Sequence, residues 1–163
     1  MTGPPVYRAP MRSRDDRVPD GVAVERALSL GVCGVGGVLE SSPASLEEAL
    51  VSVDSAYGER MARRLERFAA VPDGALVWTR DSDHLWWLGM LDGPWSYDAA
   101  SAAREVDLVH VRPCRWLTAP VAPSGVPPAV RAAFGRGGRN WQRIRDAGAS
   151  PASAALWRRP ENA

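Results

Sequence analysis

The chain has no lysine: all twenty basic side chains among its 163 residues are arginine. A coding bias toward GC-rich codons would produce this on its own. A guanidinium also grips phosphate through two parallel hydrogen bonds and stacks on bases, so the composition leaves an anion-binding role open. Cysteine is nearly missing too. Cys33 and Cys114 lie far apart in apolar stretches, which reads as two buried thiols rather than a disulfide or half a metal site. The only histidines, His84 and His110, have no regularly spaced Cys, His or acidic partners, so neither a metal nor a cofactor is expected. No apolar run approaches the ~20 residues that cross a bilayer, and no membrane partner is expected. Residues 1–17, rich in Pro and Arg, lack the apolar centre of a secretory signal, although an Arg-rich start also suits some organelle presequences. A cytoplasmic location is the expectation.

What is present is an ordinary globular composition, 45% hydrophobic and 24% charged. One domain over residues 1–163 is expected, with the ends, 1–17 and 147–163, less ordered. A chain of this size buries roughly 70% of its unfolded surface. Net charge is only +1, but its distribution is uneven. Residues 1–107 hold seventeen acids against eleven arginines, whereas residues 108–145 hold seven arginines and no acid.

Residues 6–11 read as a first strand, and residues 20–30 as a helix ending at Gly31. The glycine-rich run 31–37 reads as a buried strand entering a turn. Its glycines do not match dinucleotide-binding spacing, and no Lys follows as in a P-loop. Residues 45–70 carry apolar side chains on one helical face, opened by the capping-box pair Ser45 and Glu48. Arg60, Arg63, Arg64 and Arg67 read as its solvated face. Strands follow at 75–80, 84–91, 96–98, 107–112 and 140–145, the first of them in a meander, with Pro113 closing the long one as an edge. Short helices are expected at 128–134 and toward Trp157.

Two constellations stand out. Trp78, Trp86, Trp87, Trp95, Tyr97 and Trp116 place six large aromatics in 39 residues. Strand alternation sends Trp86 and Trp87 to opposite faces. Most strand tryptophans are packing residues, yet a concave set of such faces is also how proteins hold flat rings or cations. The second constellation runs from Arg136 through Gly137, Gly138, Arg139, Asn140, Trp141, Gln142, Arg143 and Ile144 to Arg145, with Arg112 and Arg115 upstream. Arginine beside glycine lets backbone approach a phosphate, and Asn, Gln and Trp can meet base edges or faces. A solvated charged edge strand is the plainer alternative. Catalytic patterns are poor: there is no nucleophile elbow, and only Cys33 with His110 remains as a nucleophile and base that folding would have to bring together. Against that stands a satisfied core histidine in the apolar run 108–111.

The run from Pro72 to Trp116 resembles EVE-like domains of the PUA superfamily, as found in modification-dependent restriction proteins. The matching stretches are Pro72-Asp73-Gly74-Ala75-Leu76-Val77-Trp78, Trp87-Leu88-Gly89, Gly93-Pro94-Trp95-Ser96-Tyr97 and Val109-His110-Val111-Arg112-Pro113-Cys114-Arg115-Trp116-Leu117. The glycine-rich turn and residues 134–145 fit the same pattern. The resemblance implies an α+β fold with a small curved β-barrel and flanking helices. It also implies a flipped or modified base held in an aromatic pocket beside a basic groove. By matching position, Trp95 and Tyr97 are the leading pocket residues, with Trp86 and Trp87 beside them and the turn of Gly34, Gly36 and Gly37 as a wall. Arg112, Arg115, Arg136, Arg139, Arg143 and Arg145 would contact the nucleic-acid backbone. The expected function is thus a non-catalytic reader of nucleic acid, DNA favoured over RNA. No nuclease or motor segment accompanies the domain, so any cutting is expected from a separate nuclease or effector chain. A barrel holding a small aromatic or cationic metabolite is the alternative, and a cysteine-dependent hydrolase a third.

Overall fold

The computed structural model describes residues 3–160. In chain order these form β1 (Val6–Arg8), α1 (Val22–Leu30), β2 (Val32–Val35), α2 (Leu46–Tyr57), α3 (Glu59–Ala70), β3 (Leu76–Arg80) and β4 (Trp86–Leu91). Then come β5 (Ser96–Tyr97), α4 (Ser101–Glu105), β6 (His110–Trp116), α5 (Pro128–Gly135), β7 (Gln142–Arg143) and α6 (Ala149–Trp157). The class is α+β, with the strands in one curled, half-barrel mixed sheet of order β2-β6-β4-β3-β1-β7 and β5 beside β6.

Residues 45–70 are two helices, not the single one expected. Ser45 Oγ accepts from the Glu48 amide at 3.1 Å, while the Glu48 carboxylate accepts from Ala44 N rather than closing the box on Ser45. The break is at Gly58, whose φ of 102° and ψ of 165° lie where only glycine is comfortable. The meander is likewise local. β3 and β4 pair antiparallel, but β4 then pairs with residues 114–116 of β6, and β5 pairs with residues 110–111 farther along the same edge, opposite the edge that β2 takes. Pro113 does not close a strand: it lies inside β6 opposite Val32, where its missing N–H costs no ladder bond because Cys114 N reaches Gly31 O. β1 runs parallel to β3, Val6 opposite Leu76.

Alternation along the strands divides the core. Val77 and Leu91 pack with buried side chains of α1, α2 and α3. Leu76, Trp78, Trp86 and Leu88 pack with α5 and α6 on the other face. Trp78 is fully buried, and its indole N–H donates to Ser153 Oγ at 3.0 Å, which satisfies the one polar atom that burial would otherwise strand. No helix among the described residues is long and apolar enough to cross a membrane.

Candidate functional site

A concavity of about 860 Å³ lies where five separated stretches meet: 12–18, 35–38, 53–65, 104–107 and 139–141. Its inner surface is apolar, with Val53 and Leu65 buried and Met61 and Trp141 half-buried. Trp141 is held rigid, since its ring stacks on Tyr7 at 4.6 Å and meets Phe68 edge-on at 4.9 Å. Six arginines line the cleft against three acids, Asp15, Glu105 and Asp107.

Those charges are unevenly matched. Arg12 pairs with Asp20, Arg17 with Asp15, and Arg139 with Asp16 at 2.8 Å. Arg14, Arg64 and Arg104 form no ion pair among the described residues. Arg14 reaches Asn140 Oδ1 at 3.3 Å, and Arg104 donates to Leu39 O. Burial, and then the neighbouring cations Arg14, Arg60 and Arg67, pull the Arg64 pKa below its ordinary value. An anion placed among them would relieve that repulsion.

One wall is the turn at Gly36 and Gly37, and its anchoring is complete. The Asp107 carboxylate accepts from Gly37 N at 2.9 Å and from the Ser13 hydroxyl at 2.6 Å. On the far side of the wall, His110 is fully buried, with Nε2 3.0 Å from Gly37 O and Nδ1 3.2 Å from the Trp95 indole nitrogen. An indole N–H can only donate. Nδ1 is therefore the acceptor, Nε2 carries the proton, and both ring nitrogens are spent. Burial holds the His110 pKa down at about 4. The Tyr97 hydroxyl accepts from Leu39 N at 2.9 Å, and its ring meets His110 edge-on.

Sequence reasoning is corrected at several positions. Trp95 and Tyr97 do not line the cleft; they stand one layer behind Gly37, tied to His110 and Leu39. Trp86 is 6% exposed, edge-on to Phe134 in the opposite half of the core, so it cannot receive a base. Trp87 lies outside the cleft, its indole N–H bound to Asp81 at 2.8 Å. Gly34 is sealed inside the sheet, where an added Cβ would sit 2.5 Å from His110 O. Gly36 and Gly37 do face the cleft.

Arg112 is 2% exposed, and its three nitrogens are consumed by Gly93 O, Phe68 O, Val71 O and Asp73. It staples the end of α3 to the β4–β5 turn and has nothing left for a phosphate. Arg115 is exposed, but it lies five residues along β6 from His110, roughly 16 Å at strand rise, and faces Asp92 and Trp157. The remaining arginines converge. Arg139 lines the cleft, and Arg136, Arg143 and Arg145 share with Arg67 a second groove of about 760 Å³, separated from the first by Trp141.

Arg14, Tyr57, Arg104 and Asp107 were not proposed as site residues from sequence, and Arg64 was read as part of a solvated helix face. Arg64 carried a usable signal: it stands three residues after Met61 and four before Phe68, on the border of the apolar stripe rather than opposite it. Cys33 and Cys114 are free and buried, and burial pushes the Cys33 thiol up to about 12 and Cys114 further in the same direction. Neither His110 nitrogen hydrogen-bonds a thiol, so the nucleophile–base pair does not form. No cluster of His, Cys, Asp or Glu among the described residues could hold a metal. A scan against known protein families and a search of curated proteins both return no match.

Proposed function

We propose that the protein is a non-catalytic reader of nucleic acid, acting in the cytoplasm, that takes a flipped or modified DNA base into the cleft beside Trp141. The observation that carries this reading is the pairing of an apolar interior with Arg14, Arg64 and Arg104, none of which forms an ion pair among the described residues. A base would enter the apolar part against Trp141, and its phosphates would rest on the arginines at the mouth. The adjoining groove of Arg67, Arg136, Arg143 and Arg145 offers the strand a path onward. The curled half-barrel supports the likeness to EVE-like, PUA-superfamily domains, although the pocket falls on the opposite side of the glycine turn from Trp95 and Tyr97. Any strand cleavage would belong to a separate nuclease or effector chain.

The cleft volume also lies within the ~300–1,000 Å³ of small-molecule sites. A metabolite is thus the second reading, and the surplus of guanidinium favours an aromatic anion over a cation. The test is a binding screen of single- and double-stranded DNA and RNA oligonucleotides, with and without modified bases, at two salt concentrations. Salt-sensitive binding with a preference of about tenfold or more for one modified base supports the reader. Failure to bind any oligonucleotide at low salt, with saturable uptake of an aromatic carboxylate or nucleotide, would replace it with the metabolite reading.

A further inference from the structure

Away from the cleft, Arg8 is a buried cation without a counter-ion. It is 6% exposed on β1, and no acid among the described residues forms an ion pair with it. One nitrogen has an evident job. Nη1 donates to Ala133 O and Gly137 O, both at 2.6 Å, and so caps the carbonyl end of α5, where the helix dipole welcomes a positive charge. That use leaves the other edge of the guanidinium idle. Nε is buried without any hydrogen-bond partner. Nη2 stands beside Gly138, so close that a Cβ added there would lie 2.9 Å from it. Nε and Nη2 together are the edge with which arginine forms two parallel bonds to an oxyanion.

Arg8 lines a cavity of about 280 Å³ between the α5 end and the β3–β4 turn. Arg12, Arg80 and His84 share its walls. Its two acids are already committed. Asp20 holds Arg12 at 2.6 Å, and Asp81 accepts from the amides of Asp83 and Leu85 and from the Trp87 indole. Gly137 and Gly138, with φ of 72° and 100°, bring backbone to the rim without side chains in the way. Burying an unpaired guanidinium is costly unless something meets it.

We propose that this cavity is a phosphate-binding site, in which a small shift of the Gly137–Gly138 backbone that covers the guanidinium edge lets two oxygens of a phosphate accept from Arg8 Nε and Nη2, and Arg80 adds charge at the rim. It does not rest on the nucleic-acid reading, since the main cleft shares only Arg12 with it. The experiment is a ¹⁵N–¹H NMR titration of the wild-type protein with inorganic phosphate, against chloride at matched ionic strength, following the Arg8 Nε–H resonance. That resonance should move saturably with phosphate and stay still with chloride. Arg8→Lys keeps the cation and one donor for the α5 carbonyls but removes the forked edge, so phosphate affinity should fall about tenfold or more. Should that variant misfold, Arg80→Gln should weaken binding roughly threefold with the fold intact. A second arm uses a short unmodified oligonucleotide: a shift there as well assigns the phosphate to a nucleic-acid backbone, and a shift with inorganic phosphate alone assigns it to a free phosphate or nucleotide. An Arg8 Nε–H that ignores phosphate, or an Arg8→Lys protein that is folded and binds phosphate like wild type, overturns the site.

Discussion

Replacing Arg64 with Gln should make the protein slightly more stable and a poorer binder, two effects that a merely structural arginine would not combine. Arg64 sits on α3 with Arg60 four residues before it and Arg67 three after, and with Arg14 across the cleft. No carboxylate among the described residues forms an ion pair with any of the four. Like-charge pairs at helical spacing cost roughly 0.2–0.5 kcal/mol each, so removing the two in-helix contacts should recover about 0.4–1 kcal/mol, less whatever the arginine stem loses in packing. For a domain of this size that is a rise of roughly 1–3 °C in melting temperature. Binding should move the other way. If Arg64 neutralises one phosphate, the slope of log affinity against log salt should fall by about 0.7 for a single strand. Between about 50 and 200 mM salt, the wild-type advantage should then shrink roughly 2.6-fold. Fluorescence anisotropy with a labelled oligonucleotide across that range, beside a thermal melt of the same samples, reads both quantities. A lower melting temperature together with an unchanged salt slope would refute the reasoning and make Arg64 a packing residue.

His110 gives a pH dependence whose sign is fixed by its environment. Its folded pKa of about 4 lies below the ordinary 6.5, so its contribution to stability is complete above pH 6.5 and is lost as pH falls toward 4, up to about 3 kcal/mol in all. Urea melts from pH 7 to 4.5 should show a steeper loss in wild type than in His110→Gln, and parallel curves would mean that the fold does not hold the His110 pKa below its ordinary value. Arg112→Ala should cost roughly 3–5 kcal/mol, because three backbone carbonyls lose their donor, while the salt slope of whatever protein remains folded stays as in wild type. A reduced slope would return Arg112 to the interface. Cys33 and Cys114 should resist a thiol reagent in the native protein and react quickly in urea; fast native labelling of Cys33 would contradict both its burial and its raised pKa.

The parts of the fold legible from sequence are those that short-range physics determines. Short apolar, aromatic-rich runs between turn residues mark β3 and β4, and helical periodicity with a Ser45 cap marks α2, because each signal is complete within about ten residues. The break at Gly58 was not legible, since a glycine in a helical pattern is usually tolerated and only the packed angle between α2 and α3 puts it at φ 102°. Nor was the parallel union of β1 with β3, which joins Val6 to Leu76 although α1, β2, α2 and α3 lie between them in the chain.

The site failed to show itself for a related reason. Its arginines and Trp141 come from four stretches, of which only the one around Arg139 and Trp141 carries a pattern by itself, and the ion pairs that cancel Arg12, Arg17 and Arg139 while leaving Arg14 and Arg64 without a counter-ion exist only in the folded chain. The aromatic run misled because the same observation, a tight turn at Gly93 and Pro94 followed by Trp95 and Tyr97, suits a pocket mouth and a buried strut equally well. What decides between them is the polar end of each ring. A residue kept for a ligand leaves its hydrogen-bonding atom open to the cavity. Here the Trp95 N–H is spent on His110, the proton of His110 is spent on Gly37 O, and the Tyr97 oxygen is spent on Leu39 N. The three form a chain that fixes the glycine turn from behind. The aromatics thus bear on the cleft through the position of Gly37, and a base would meet Trp141 from the other side of that wall.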